Sequence, residues 1–155
     1  MPRVTRPTLL IAIGNEFRCD DAAALMVARK LREIGSEAII IENTGDVAGV
    51  INLWDDADDV ILLDAVHSGE PAGTIHRFDA NRDSVQAAAG QVCSHNFSIV
   101  QAIELAEALG KLPRTLIFYG IEGERFEQGT ELSAPVRKAI DELTTELSSR
   151  LAILR

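Results

Sequence analysis

Thr8-Leu9-Leu10-Ile11-Ala12-Ile13, stopped by Gly14-Asn15, decides how this chain folds. The run is apolar almost throughout, with no polar residue at every second position. A strand with one wet face alternates; a strand that does not is covered on both faces, as in a parallel sheet between helices. The same signature returns in Ala38-Ile39-Ile40-Ile41, in Val60-Ile61-Leu62-Leu63 and in Leu116-Ile117-Phe118-Tyr119. The third run ends at Asp64. Thr74-Ile75-His76-Arg77-Phe78 is different. It alternates, which predicts a half-exposed edge strand, antiparallel and hairpin-connected.

Between these runs the apolar period changes from strand to helix. Ala24, Val27, Ala28 and Leu31 fall on one helical face, and Gly35 follows the last turn. Asp20-Asp21 precede them, and either carboxylate suits the free N–H groups at a helix start. Asp46 is placed to cap a short helix through Ile51 and Leu53-Trp54. Ile99, Ala102, Ile103, Ala106 and Leu109 predict a helix over 98–109, ended by Gly110. Val136, Ile140, Leu143, Leu147, Leu151 and Leu154 form the stripe of a last helix, with Ser133 as cap and Pro135 in its first turn. Residues 80–94 carry no decisive period and read as a short helix or loop. Strand–helix alternation of this kind gives a three-layer α/β/α fold: a mostly parallel twisted sheet of about five strands, one of them an antiparallel edge.

The 155 residues fit a single domain spanning 1–155, long enough to bury a core without disulfides or structural metal. Lys+Arg 15 against Asp+Glu 24 leaves a net charge of −9, which argues against nucleic acid and against an anionic membrane as partner. Leu9-Leu10-Ile11-Ala12-Ile13 is too short for a signal-peptide core, and the 2 cysteines, Cys19 and Cys93, make no disulfide framework. The expected setting is cytoplasmic. Asp55-Asp56-Ala57-Asp58-Asp59 reads as a solvated acidic stretch.

In open parallel sheets ligands sit outside the carboxyl ends of the strands. The residues there are Asn15, Glu16, Cys19, Asp20 and Asp21 after the first run, and Asp64 and His67 after the third. Cys93, Ser94, His95 and Asn96 precede the Ile99 helix, and Glu122 and Glu124 follow the Leu116 run. Asp21, Asp64 and His95 are distant in sequence but share this end of the sheet. Two carboxylates and an imidazole suit a nickel or zinc ion and leave coordination positions open for substrate or water. The same residues also have ordinary roles: Asp20 and Asp21 in a helix start, Asp64 in a turn, His95 at a helix entry, His67 in a loop. The cysteines read as two small, partly buried thiols, or as a sulfur ligand or redox pair at the crevice. The acids also admit a receiver-like phospho-acceptor pocket with Mg²⁺. That reading needs a lysine at the end of the last strand, where this chain has Tyr119-Gly120-Ile121-Glu122. Dinucleotide, Walker A, H-E-x-x-H and G-x-S-x-G patterns are absent from the sequence.

Ile11-Ala12-Ile13-Gly14-Asn15 with Cys19-Asp20-Asp21 resembles the opening G-[IV]-G-N-x-x-x-x-D-[DE] of the maturation endopeptidases of nickel–iron hydrogenases. Ile61-Leu62-Leu63-Asp64-Ala65-Val66 resembles that family's second block, Pro71-Ala72-Gly73-Thr74-Ile75 its A-P-G-T segment, and Cys93-Ser94-His95-Asn96 its S-x-H block. The stretch 115–122 resembles its last strand. Ala12 departs from the usual glycine. Thr44 stands where an aspartate is often found after the second strand, so a role for that acid passes to Asp46 or is lost. The resemblance implies an endopeptidase that removes a C-terminal extension from the hydrogenase large-subunit precursor after nickel insertion. Asp21, Asp64 and His95 would engage the nickel carried by that substrate, and the enzyme would hold no metal of its own. The alternative on the same residues is a hydrolase with its own bound zinc.

Overall fold

The computed structural model describes residues 6–43, 46–83 and 99–153. β1 (Leu9–Ile13) lies between β2 (Ile39–Asn43) and β3 (Asp59–Val66) and pairs in parallel with both. β5 (Thr115–Glu122) extends the sheet in parallel beyond β3, and β4 (Ile75–Asp79) closes it antiparallel to β5. The order β2-β1-β3-β5-β4 is the mostly parallel five-stranded sheet with one antiparallel edge that the apolar runs predict.

The period-two geometry of each strand divides the core into two layers. Leu10 and Ala12 of β1, Ile61 and Leu63 of β3, and Ile117 and Tyr119 of β5 face α1 (Ala23–Ile34) and α4 (Ala134–Ile153). Leu9, Ile11 and Ile13, with Val60, Leu62, Val66, Leu116 and Phe118, face α2 (Val47–Trp54) and α3 (Ile99–Leu109). Trp54, fully buried, is the largest side chain of that second layer. The stripe Val136, Ile140, Leu143, Leu147 and Leu151 is buried as expected; Leu154 lies outside the described residues. Among the described residues no helix is long and apolar enough to cross a membrane.

Several expectations are corrected by the topology. β2 is an edge strand and less buried than its apolar run predicts: Ile39 is 49% exposed, and the strand's outer end is covered by charge, with Arg29 and Arg32 both on Glu42 at 2.9 and 2.5 Å. β4 forms no hairpin with β3, its predecessor in sequence; β5 inserts between them. β3 and β5 each run three residues further than their apolar cores, so Asp64 and Glu122 belong to strands rather than to the loops after them. The acidic stretch is not wholly solvated, since Asp59 opens β3 and accepts from Arg114 at 3.1 Å and from the Thr115 hydroxyl at 2.6 Å. Asp46 does cap α2, accepting from the Gly49 N–H at 3.1 Å.

Gly73 fixes how β4 is approached. Its φ is +87°, and a Cβ there would lie 2.6 Å from the carbonyl oxygen of Pro135 in the first turn of α4. Gly69 has a similar φ of +90° with open space around it. Gly73→Ala is therefore expected to cost about 1–3 kcal/mol, clearly more than Gly69→Ala, which meets backbone strain alone. Urea unfolding midpoints of the two variants check this.

Candidate active site

β1 is the point where the connections diverge. The chain leaves it through α1 to reach β2, then returns past it through α2 to reach β3. Strand order reverses there, and the carboxyl ends of β1 and β3 border the crevice that such a reversal opens.

Gly14 ends β1, and the loop folds straight back over it. A Cβ on Gly14 would stand 2.2 Å from the carbonyl oxygen of Asp21, so no other residue admits this path. The return brings the Asp21 carboxylate over the end of the strand, where Oδ2 accepts from the Asn15 N–H at 2.9 Å. Asp21 is fully buried. Asp64 stands on the neighbouring strand. Ala12 pairs with Leu63, so the next pair upward sets Ile13 level with Asp64. Asp64 shares its parity with Leu62 and Val66, which puts it on the α2/α3 face. It is 1% exposed, and its Oδ1 accepts from the Ala65 N–H at 2.8 Å. The turn Cys19–Ala22 that carries Asp21 packs against β3. Two of the three expected groups thus lie at the carboxyl ends of adjacent strands. The third, His95, lies outside the described residues, as do Cys93, Ser94 and Asn96. Among the described residues no three His, Cys, Asp or Glu side chains form a group able to hold a metal ion.

Asp20 does something else. The expected helix start at Asp20-Asp21 is a 3-10 turn, Cys19–Ala22, before α1, and no side-chain cap bond is made there. The Asp20 carboxylate points across to the loop after β5. Oδ2 accepts from the N–H groups of Glu124 and Arg125 at 2.9 and 3.0 Å and from the Ser133 hydroxyl at 2.9 Å, while Oδ1 accepts from the Ser133 N–H at 2.8 Å. Ser133 therefore spends its hydroxyl on Asp20, and its carbonyl accepts from Arg137 to begin α4. The two loops are further joined by Cys19 N–H to the Gly129 carbonyl at 2.9 Å and Gly129 N–H to the Phe17 carbonyl at 2.8 Å. Cys19 is buried with φ 47°. His67 is an exposed loop residue edge-on to Phe126, ring centres 5.3 Å apart. Glu16 pairs with Arg29 at the surface, and Glu124 serves the site through its backbone N–H.

A second carboxylate is buried at this pole. Glu122 is 1% exposed; Oε2 accepts from the Ser68 N–H at 2.8 Å, and Oε1 from the Ser68 hydroxyl at 2.5 Å and from His76 Nε2 at 3.0 Å. Burial alone pushes this carboxyl up, but the two Ser68 donors and His76 outweigh it and hold it below its ordinary value of 4.5. A buried acid stands where a phospho-acceptor pocket needs a cation. His76 and Ser68 were not among the expected site residues. The alternation of β4 contained the signal for His76, which has the parity of the buried Phe78.

A family model described as hydrogenase maturation protease, HycI, matches residues 26–150. The chain belongs to the hydrogenase maturation protease family. Its members hydrolyse peptide bonds, and this chain is such a hydrolase. The match takes in Asp64 and His95 and begins after Asp21. A search of curated proteins returns no match. Among solved structures, the [NiFe] hydrogenase maturation protease HybD from Thermococcus kodakarensis superposes with a TM-score of 0.75 at 24% identity, covering 95% of this chain and 99% of that one. HybD from Escherichia coli gives 0.73 at 17%, covering 95% and 93%, and HycI from Escherichia coli gives 0.72 at 17%, covering 93% and 90%. At these identities the likeness is one of fold.

Two stability predictions follow from the buried acids. Asp20→Ala leaves four donors without their acceptor and is expected to cost about 2–4 kcal/mol, measured by urea unfolding, with Asp20→Asn losing less. Glu122 has a depressed folded pKa, so its contribution is complete above 4.5 and is lost as pH falls through the folded value. Glu122→Gln should therefore flatten the acid limb of melting temperature against pH, below about pH 5.

Proposed function

We propose that this hydrolase removes the C-terminal extension of a nickel–iron hydrogenase large-subunit precursor once nickel is in place, and that it reads the nickel itself. The observation that carries the reading is the pair Asp21 and Asp64. Both are buried carboxylates, delivered by separate elements to the carboxyl ends of adjacent strands at the reversal of the sheet. Asp21 and Asp64 sit where ligands enter an open sheet, whereas Asp20 is turned away to the loop after β5 and the start of α4.

His95 completes the trio in this reading, through the S-x-H block that precedes α3. α3 packs on the same face as Asp64. Two carboxylates and an imidazole match the donor preferences of nickel and leave positions open. The metal belongs to the substrate: it fixes the scissile peptide beside the site and polarises its carbonyl or a bound water. A precursor without nickel offers the acidic pocket nothing to bind, which makes cleavage wait for metal insertion. The net charge of −9 is compatible with a partner presenting a cation, and the cysteine usage supports a cytoplasmic setting.

Asp21→Asn, Asp64→Asn and His95→Ala are each expected to lower kcat/KM for a nickel-loaded precursor by about a thousandfold or more, with circular dichroism unchanged. Mass measurement of the precursor, with and without nickel, reads the outcome; wild-type cleavage by all three variants would remove the assignment. Metal analysis of the purified chain tests the zinc alternative, which a tightly held stoichiometric zinc would favour.

A further inference from the structure

Among the described residues Phe17, Ile34, Ile39, Leu105 and Leu109 are the large apolar side chains left open to water. Four of them lie away from the carboxyl ends of the parallel strands. Ile34 and Leu109 close the helices that lead to the amino ends of β2 and β5, Leu105 lies one turn before Leu109, and Ile39 opens β2. Phe17 alone of these stands at the carboxyl pole, in the loop between β1 and the turn that carries Asp21. It is 60% exposed.

An exposed ring is ordinary where a loop is slack, and this loop is not. The Phe17 N–H donates to Asn15 Oδ1 at 2.9 Å, and the Phe17 carbonyl accepts from the Gly129 N–H at 2.8 Å. The next residue is held as well: the Arg18 N–H donates to the Asn15 carbonyl and Arg18 Nε to the Phe126 carbonyl, each at 3.2 Å. A fixed main chain therefore presents the ring to solvent. Phe126, the aromatic of the loop bonded to this one, is half-buried and meets His67 edge-on, whereas Phe17 makes no ring contact among the described residues.

The same frame ties Phe17 to Asp21. Asn15 gives its N–H to Asp21 Oδ2 at 2.9 Å, and its side-chain oxygen takes the Phe17 N–H. Two residues of chain span at most about 7 Å, so the Phe17 nitrogen lies within about 10 Å of the Asp21 carboxylate. A protein substrate whose reacting segment reaches Asp21 brings further surface over this loop. A rigid aromatic gains most from being covered there, because it offers a large apolar area and has little rotamer freedom to lose.

We propose that Phe17 is a docking residue of this enzyme, a preset apolar contact that the hydrogenase large-subunit precursor covers when its scissile segment enters at Asp21. This rests on the reading that Asp21 engages the precursor, and adds a contact with the precursor's polypeptide that is independent of the metal. The ring acts on binding and not on the bond being cut, so its loss falls on KM.

The test is cleavage kinetics with a purified nickel-loaded precursor, run well below the melting temperature of every variant. Phe17→Ala and Phe17→Gln should each raise KM about 10- to 50-fold and leave kcat within about twofold of wild type, while Phe17→Leu should recover most of the loss. Ile34→Ala removes an equally exposed side chain at the far end of α1 and should leave both constants unchanged. Wild-type KM in either folded variant, Phe17→Ala or Phe17→Gln, overturns the proposal. So does an equal rise in Ile34→Ala, which marks unspecific adhesion, or a loss confined to kcat that follows melting temperature, which marks a structural role. Wild-type cleavage by Asp21→Asn overturns the reading of Asp21 instead, whereas an inactive Asp21→Asn beside wild-type KM in the Phe17 variants overturns the docking role alone. Absence of cleavage by the wild-type enzyme overturns both.

Discussion

The Asp20 carboxylate binds one end of this protein into a single piece. Its four donors come from the loop after β5 and from Ser133 at the start of α4, while its backbone belongs to the turn that leads from β1 into α1. A buried charge is tolerated only when its lone pairs are met, and here they are met by backbone N–H groups and a hydroxyl rather than by a counter-ion. Because Asp21 is the next residue, the same bonds that satisfy Asp20 fix where the Asp21 side chain begins. Gly14 and Gly123 make room for this, the first against the Asp21 carbonyl, the second against the Asp20 side chain, where a Cβ would lie 2.9 Å away.

The crevice follows from three separate constraints acting together. Sheet order puts β1 and β3 side by side. Pairing register sets Asp64 level with the last residue of β1. The clamped loop then returns Asp21 over that same end. None of the three alone would bring both carboxylates to this end of adjacent strands. The second polar cluster at Glu122 depends on a fourth constraint, the reversed direction of β4. A parallel strand in that place would have carried its second residue to the opposite pole.

Much of this is visible in the sequence, and the exceptions have physical causes. The uninterrupted apolar runs identify β1, β3 and β5 because double coverage leaves no polar face to see. The same rule overstates the burial of β2: Ile39-Ile40-Ile41 is apolar throughout, but the strand is an edge, and Arg29, Arg32 and Glu42 cover its end instead. The runs also end too early for β3 and β5, since Asp64 and Glu122 are polar residues buried within the strands, Glu122 among its bonds to Ser68 and His76. Asp21 and Asp64 stand out as acids at strand ends. Asp20 looks the same to any pattern, and only its partners, more than a hundred positions away, set it apart. His76 shares the parity of Phe78, so its inward direction is legible in β4, but nothing near it in sequence marks its partner Glu122, 46 positions away.

The clamp between the first loop and the start of α4 joins segments separated by 113 positions. Contacts so remote in the chain close late, after the intervening strands have found their places. The position of the loop that bears Asp21 is therefore a property of the assembled sheet and not of its own sequence neighbourhood.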